Sequence, residues 1–199
     1  MANTTKIARC AWASGSKTTP LMMTYHDLEW GHPLKDNDSL LFELLTLEIF
    51  QAGLSWEIVL KKRHHLKKAF WSFDLESVAK MGDDDVYRLC QNADIIRNKQ
   101  KILATIHNAK VIQQIQKSYG SFSNYIWHFT ENQVIDHNIQ IPAEVPSKDA
   151  LSEYISKAMK KIGFKFTGPV VIYAYLQSIG IINDHESNCT FKYRSEEHT

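Results

Sequence analysis

The chain has 199 residues, of which 44% are hydrophobic, 23% charged and 11% aromatic, and its formal net charge is +1 with neutral histidines. This length predicts one domain over residues 1–199, and the absence of an apolar signal core or an eighteen-residue apolar run favours a cytoplasmic protein with no membrane partner. An odd number of cysteines, three, argues against a secreted disulfide scaffold. Because the chain is nearly neutral, it could bind nucleic acid only if its cations are concentrated in one region.

Helical periodicity dominates the chain, and the predicted fold is all-α. The first long helix follows a cap at Asp38 and is apolar on nearly every side over residues 40–52, which indicates a helix in the interior of the protein. Ser55 is expected to cap a second helix over residues 56–70. The caps expected for the two short helices that follow are Asp74 and Asp83.

Three further helices are each predicted to end at a glycine, the residue that most easily adopts the backbone of a helix terminus. They are a long helix with apolar spacing over 102–115 that ends at Gly120, a helix that begins at Ser147 and ends at Gly163, and a helix over 170–179 that follows Gly168-Pro169 and ends at Gly180. Strand signals are few, and residues 133–145 are expected to form a loop.

A cysteine and a histidine near the start of the chain, Cys10 and His26, match a histidine and a cysteine near its end, His185 and Cys189. Two such pairs suit one tetrahedral Zn²⁺, which would join the two ends of the chain. The alternative is accidental pairing, because nine histidines and three cysteines allow it. Cys90 lies in an apolar helical stretch and is expected to be a small buried hydrophobe.

Glu48 is the most informative residue of the interior helix, because its neighbours one turn away are mostly apolar. A carboxylate in such surroundings is costly unless it meets a cation, a donor or a ligand. Together with Gln51, one turn further along the helix, Glu48 can hydrogen-bond the polar edge of a bound molecule. The alternative is a structural glutamate that pairs with an arginine.

Four aromatic residues lie in the segments around Glu48: Trp12, Tyr25, Trp30 and Trp56. Taken singly, each is typical of a core or half-buried position. Around a buried carboxylate, however, aromatic faces form a cage for a flat cation. The pattern predicts a pocket that prefers a positively charged ring to its neutral parent.

Positive charge is concentrated in residues 61–68 and 97–101, although each segment is most often a solvated helix face. Residues 89–99 are predicted to form a helix, a tight turn and the start of the long helix. A helix N-terminus with Arg97, Lys99 and Lys101 nearby suits contacts to phosphate. Any two packed helices give a similar pattern.

The ordered motifs of the chain resemble those of the 3-methyladenine DNA glycosylase I family, base-excision repair enzymes of the helix-hairpin-helix superfamily. The resemblance runs from Arg9 to Cys189 and is carried by residues 25–31, 47–56, 94–98, 163–169 and 183–189. It implies a helix-hairpin-helix DNA glycosylase-like helical fold with the hairpin element at about residues 84–118. It also implies a monomer with one structural Zn²⁺ that joins the N- and C-terminal segments.

The resemblance further implies four groups of site residues. Glu48 matches the carboxylate that hydrogen-bonds the damaged base and is the expected catalytic residue, while Trp12, Tyr25 and Trp56 match aromatic residues that contact or stack on the base, with Trp30 beside them. Gly53 and Leu54 match a loop that fills the gap in the duplex, and the DNA-backbone contacts are matched by Asn98, Lys99 and Lys101. The zinc ligands are matched by Cys10, His26, His185 and Cys189.

The activity implied is removal of cationic 3-methyladenine from alkylated double-stranded DNA. The base is flipped out and its glycosidic bond hydrolysed, which leaves an abasic site and free 3-methyladenine. No lysine within these motifs is placed as a Schiff-base nucleophile, so no strand cleavage is expected.

Two departures from the superfamily pattern bear on this expectation. Asp94 stands where members of the family often have glycine, and its charge is unfavourable near phosphate. The usual catalytic aspartate of the superfamily is generally missing from this family, so no aspartate is given that role.

The alternative function is a non-catalytic, zinc-stabilised module that binds DNA damage. A zinc hydrolase is disfavoured because four protein ligands leave no open coordination position.

Overall fold

The computed structural model describes residues 7–192, and this part of the chain is mostly helical, as predicted. The α-helices are α1 (Ala11–Ser14), α2 (Pro20–Leu28), α3 (Asp38–Gln51), α4 (Trp56–Ala69), α5 (Leu75–Ala79), α6 (Asp83–Gln91), α7 (Lys99–Tyr119), α8 (Phe122–Trp127), α9 (Ala150–Lys161) and α10 (Pro169–Ser178). Short 3₁₀ turns lie at Trp71–Phe73, His128–Thr130 and Pro142–Glu144, and the strands are β1 (Ile135–Asp136) and β2 (Ile182–Asn183).

Helix α3 is the centre of the fold, and every residue of the segment 41–50 is buried. It packs against α4, α7, α8 and α10, which explains why its sequence is apolar on all sides. The predicted cap is wrong by one residue, since the side chain of Asn37 accepts the hydrogen bond from the Leu40 amide. Asp38 instead accepts hydrogen bonds from the backbone amides of Phe122 and Ser123, at the start of α8. Two adjacent polar residues look equivalent as caps until the tertiary partner of each is known.

The remaining helix boundaries follow local sequence signals closely. The predicted caps are confirmed at Ser55 and Asp74, whose side chains accept hydrogen bonds from the first turns of α4 and α5. The cap of α6 is Gly82, with Asp83 in the first turn, so the prediction is wrong by one residue. Helix α9 is capped by Asp149, two residues after its predicted start.

Two features connect distant parts of the chain near its ends. Strands β1 and β2 pair in parallel, with Ile135 opposite Ile182, so part of the predicted loop over 133–145 is held against the segment that leads to His185. Helices α6 and α7 are joined by residues 92–98, where the hairpin is predicted. Within residues 7–192, none of the helices has the length and apolar character needed to cross a lipid bilayer.

Candidate active site and metal centre

Helix α3 carries two buried glutamates in opposite electrostatic surroundings. The carboxylate of Glu43 lies 2.6 Å from Nε of Arg63 and 3.2 Å from Nζ of Lys67. Glu48 is only 5% exposed, and its carboxyl group forms no hydrogen bond or ion pair with the rest of residues 7–192. Burial raises the pKa of Glu48 to about 8. The structural alternative of a glutamate paired with an arginine therefore applies to Glu43, whereas Glu48 is open to a ligand.

The carboxyl group of Glu48 lies in a cavity with aromatic walls. Trp12, Tyr25, Trp30 and Trp56 all line this cavity together with Glu48, so the structure brings together the five residues predicted to bind the base. The cavity has a volume of about 420 Å³, within the range typical of small-molecule sites. Flat apolar walls around one carboxyl group are suited to a planar ligand with positive charge.

Two polar atoms in the cavity wall lack partners. The hydroxyl of Tyr25 and the indole Nε1 of Trp56 are buried, and neither has a partner at good hydrogen-bond geometry within the described part of the chain, although the Ser178 side chain lies near the Tyr25 hydroxyl. Their rings lie 5.1 Å apart, centroid to centroid. Burial, followed by the charge of Glu48, raises the pKa of the Tyr25 hydroxyl, so it remains a donor at neutral pH. Buried donors without acceptors are costly, and a polar ligand would satisfy them.

Further polar side chains of the cavity wall escape sequence reasoning. Gln177 and Asp184 both line the cavity, and Nε2 of Gln177 donates a hydrogen bond of 2.7 Å to Asp184. Asp184 also accepts hydrogen bonds from Tyr173 and His137. Burial, together with the bond to Asp184, raises the pKa of the Tyr173 hydroxyl. Asp184 could have been found from the sequence because it is adjacent to the predicted ligand His185. No sequence signal indicates Gln177.

The predicted DNA-gap loop lines a cavity that adjoins this one. An adjoining cavity of about 490 Å³ shares Glu48 and Gln51 with the first and is lined by Gly53 and Leu54. Gly53 has a φ of +83° and is exposed, and Leu54 is 39% exposed. An exposed apolar side chain therefore lines a cavity that also reaches Glu48.

The three residues predicted to contact the DNA backbone occupy different environments at the start of α7. The side chain of Asn98 caps the helix by accepting from the Lys101 amide at 3.1 Å, and Lys99 is exposed. Lys101 is buried, and its ammonium group donates hydrogen bonds to backbone carbonyls of Phe50 and Ala52. Contact between Lys101 and DNA stays a prediction, but its side chain lies inside the protein. The nearby Asp94 is not among the described residues with positive φ, so the turn does not require a left-handed backbone there.

The four predicted metal ligands, Cys10, His26, His185 and Cys189, converge although they come from opposite ends of the chain. All four are buried, and their ligand atoms lie within 4.8 Å of one another. Nδ1 of His185 is 3.4 Å from the sulfur of each cysteine, and Nε2 of His26 is 3.6 Å from the Cys189 sulfur. Sulfur and nitrogen ligands of tetrahedral zinc are separated by about 3.5 Å. The arrangement therefore fits a metal ion.

The surroundings of the cluster also prepare both histidines as ligands. Nδ1 of His26 lies 2.8 Å from the carboxylate of Asp27, and Nε2 of His185 lies 3.0 Å from the carbonyl of Trp30. These acceptors assign the proton to the outer nitrogen of each ring, which leaves a lone pair on the inner nitrogen. The neighbouring Cys10 lowers the pKa of Cys189, while the proximity of Cys189 and burial raise that of Cys10, so a second thiolate needs a compensating cation.

The sequence is similar to a family of glycosylases along nearly its whole described length. The profile of the methyladenine glycosylase family matches residues 12–193. DNA-3-methyladenine glycosylase 1 of Escherichia coli (strain K12) is 42% identical over 181 residues, which are 91% of this chain and 95% of that protein. The DNA-3-methyladenine glycosylase of Haemophilus influenzae is 40% identical over 184 residues, which are 92% and 97% of the two chains. The chain therefore belongs to the methyladenine glycosylase family and is a glycosylase of the hydrolase class.

Solved structures give the same result for the fold. A crystal structure of 3-methyladenine DNA glycosylase I superimposes with a TM-score of 0.87 at 40% identity, covering 92% of this chain and 98% of that one. A structure that describes 3-methyladenine recognition by the enzyme from Staphylococcus aureus gives a TM-score of 0.87 at 35% identity, covering 91% and 95%. The family resemblance and the mostly helical fold are thus confirmed, while the roles of individual residues remain predictions.

Proposed function

We propose that this glycosylase removes cationic 3-methyladenine from alkylated double-stranded DNA by hydrolysis and leaves an abasic site. The observation that supports this proposal most directly is the unpaired carboxyl group of Glu48 inside an aromatic cavity. A purine that carries positive charge stabilises the ionised carboxylate, whereas neutral adenine offers no such compensation. Relatives that share 40–42% of their residues with this chain are named for the same base.

The chemistry needs little help from an acid. Methylation at N3 gives the base a positive charge, so the electron pair of the glycosidic bond can leave with the base without protonation. The base departs neutral, and a water molecule adds its oxygen to the sugar carbon and loses a proton. In this proposal the aromatic walls hold the extruded base, and Glu48 favours the cation because the cavity excludes water. Extrusion itself costs a few kcal/mol, least for a damaged base.

The proposed reaction stops at the abasic site. A strand-cleaving glycosylase needs an amine that attacks the sugar, and among residues 7–192 none of those that line the Glu48 cavity is a lysine. The buried Lys101 donates its hydrogen bonds to Phe50 and Ala52 and does not line the cavity. The side chains present therefore support hydrolysis without lyase activity.

We assign DNA binding to the surface around the cavity mouth. In this proposal residues 92–98 and the start of α7 form a helix-hairpin-helix element whose backbone amides and Lys99 contact phosphate. The exposed side chain of Leu54 fills the space that the extruded base leaves in the duplex. The cluster around His185 would hold one Zn²⁺, which supplies structural cross-linking of the chain ends when bound.

The test is to identify the bases that the protein frees from methylated duplex DNA by chromatography. The expected product is 3-methyladenine, with strands that stay intact until the abasic sites are cleaved by alkali. Glu48→Gln should reduce release by about tenfold or more, because it removes the charge that compensates the cation. Glu57→Gln, at a half-buried glutamate of α4 that pairs with Lys61 and does not line the cavity, is the matched control and should retain the wild-type rate. Binding of methylated DNA with no base released in a single turnover would refute the proposed reaction.

A further inference from the structure

Lys101 is predicted to contact DNA, yet its side chain is 6% exposed. Its ammonium nitrogen donates hydrogen bonds to the carbonyl of Phe50 at 3.0 Å and to that of Ala52 at 2.7 Å. Neither an Asp nor a Glu of residues 7–192 forms an ion pair with it, and burial lowers its pKa. A buried ammonium group without a counter-ion is costly, so its retention calls for a physical reason.

Termination of helix α3 is not a sufficient reason. The two carbonyls that Lys101 holds lie in the last turn of α3 and at its C-cap, Ala52. This negative end of the helix stabilises a cation. However, the next residue is Gly53, whose φ of +83° already provides the backbone that ends a helix. The lysine therefore does more than close the last turn.

The backbone of Lys101 belongs to the element that is proposed to grip DNA. Its amide is held by the cap residue Asn98 at 3.1 Å, in the first turn of α7. The connection over residues 92–98 is fixed at its other side by Lys62 of α4, whose ammonium group donates to the carbonyl of Ala93 at 3.2 Å. Lys101 thus joins the start of α7 to the end of the helix that carries Glu48.

The segment attached to the other side of Lys101 is the exposed loop 52–55. A Cβ atom added at Gly53 would meet no atom within 4 Å, so the tip of the loop stands clear of the protein. Its backbone is held by the Leu54 amide, which donates to the Gln51 carbonyl at 2.7 Å, and by the bond from Lys101 to Ala52. Among the hydrogen bonds of residues 7–192, that second bond is the one that joins the loop to α7.

We propose that Lys101 is a positioning residue for base extrusion. It fixes the loop 52–55 relative to the start of α7, so that Leu54 enters the duplex at the place where the hairpin holds the backbone. This inference rests on the proposed function, since it concerns the step in which the damaged base leaves the helix. It predicts that replacing Lys101 slows base release from lesions in paired DNA and has little effect on release from single-stranded DNA.

The experiment compares two substrates that carry the same lesions. A dA-rich strand is methylated within a duplex and is assayed in that duplex, and again after the partner strand has been removed. Lys101→Met should slow single-turnover release of 3-methyladenine from the duplex by about tenfold, because misplacing the loop impairs extrusion. On the separated strand the loss should be less than about threefold. Lys110→Met, an exposed lysine of the same helix, is the control and should match the wild type on both substrates.

The outcomes separate this inference from the proposed function. If the wild-type protein frees no 3-methyladenine from either substrate, the proposed function fails. If the wild type is active but Lys101→Met loses the same factor on both substrates, Lys101 is merely structural and the inference is overturned. An unchanged rate on the duplex also overturns it. Lys101→Gln keeps an uncharged amide group that can donate hydrogen bonds, so it should release the base from the duplex at an intermediate rate. If the methionine variant does not fold, the comparison of the two substrates is made with Lys101→Gln instead.

A double-mutant cycle tests whether Lys101 acts through Leu54. Leu54→Ala should slow release from the duplex by itself, since the inserted side chain is shortened. If Lys101 works by placing that side chain, the double variant should be no slower than the slower single variant. Losses that multiply would show independent actions and would contradict the proposed route.

Discussion

The imidazole ring of His185 contacts both the candidate metal centre and the wall of the Glu48 cavity. Its Nδ1 faces the sulfurs of Cys10 and Cys189 at 3.4 Å, and its Nε2 donates to the carbonyl of Trp30 at 3.0 Å. The ring of Trp30 lies 4.7 Å from the imidazole, centroid to centroid, and Trp30 also lines the cavity. A metal ion that fixes His185 therefore also fixes one aromatic wall of the pocket.

Removal of a metal ligand should consequently damage stability first and base binding second. Cys189→Ser should lose the bound metal and lower the free energy of unfolding by roughly 3 kcal/mol, which corresponds to a fall in Tm of about 10 °C for a chain of this size. Its affinity for 3-methyladenine should fall as well, because Trp30 is no longer held. Metal content, thermal unfolding and calorimetric titration with the free base measure the three effects.

Cys90→Ser is the matched control for this substitution. Cys90 is half-buried on α6 and is not part of the Cys/His cluster, so its replacement should leave the metal content unchanged. A Cys189→Ser protein with wild-type Tm and full metal content would contradict the assignment of the cluster as a metal centre.

The pKa of Glu48 predicts how stability depends on pH. In the folded protein it is raised to about 8 from an ordinary value of 4.5, so the folded state holds this proton more tightly than the unfolded state. Glu48 therefore costs no stability below about pH 4.5, costs progressively more as the pH rises towards 8, and reaches its full cost above that. Glu48→Gln removes this dependence. From about pH 5 to about pH 8.5, the wild type should lose a few kcal/mol relative to the variant.

Urea denaturation of both proteins at the two pH values measures this difference. Other titrating groups are common to both proteins and cancel in the comparison, provided that the denaturant dependence is unchanged. Equal stability differences at the two pH values would mean that Glu48 stays ionised in the empty cavity, and would require a partner for it.

Much of the fold is predictable from sequence because its signals are local. Helical periodicity, caps such as Ser55 and Asp74, and glycine at the end of α7 depend on residues within a few positions of one another. The error at the start of α3 occurs because a distant residue decides. Asp38 is a reasonable cap by sequence, but its carboxylate is used by amides of α8, more than eighty positions away.

The candidate site shows the same limit more clearly. Glu43 and Glu48 lie on one helix and look alike in sequence, yet only the first meets Arg63, twenty residues further on. Lys101 follows a predicted hairpin, which suggests a surface position, but packing against the end of α3 buries it. Family motifs identify such residues, whereas only the three-dimensional arrangement shows whether a charge is paired, buried or open to a ligand.

The pairing of Glu43 leads to a prediction that separates stability from activity. Arg63 connects Glu43 of α3 with Glu29, which follows α2, through bonds of 2.6 to 2.8 Å. Arg63→Met should lower the free energy of unfolding by about 3 kcal/mol, because it leaves a buried carboxylate with Lys67 as its remaining partner. The rate of base release by the folded protein should stay near that of the wild type, since Arg63 does not line the cavity.

Thermal unfolding and single-turnover assays at a temperature well below Tm distinguish these two effects. Lys61→Met is the control, because the exposed pair between Lys61 and Glu57 should contribute little. Adding Glu43→Gln to Arg63→Met should restore part of the lost stability by removing the unpaired charge. A stable but inactive Arg63→Met protein would show instead that Arg63 takes part in the reaction.

Gly31 must be small because it lies against His185, where the pocket meets the candidate metal centre. Its φ is +77°, and a Cβ atom at this position would lie 2.8 Å from Cδ2 and Nε2 of His185. Gly31→Ala should therefore cost about 1–2 kcal/mol for the backbone conformation alone, and displacing the imidazole should also weaken metal binding. Gly15→Ala is the matched control, since its φ is −69° and its added Cβ would make only ordinary contacts at 3.7 Å. Unfolding midpoints and metal titrations of the two variants measure the difference, and a Gly31→Ala protein that binds metal as tightly as Gly15→Ala would contradict the close packing of Gly31 on His185.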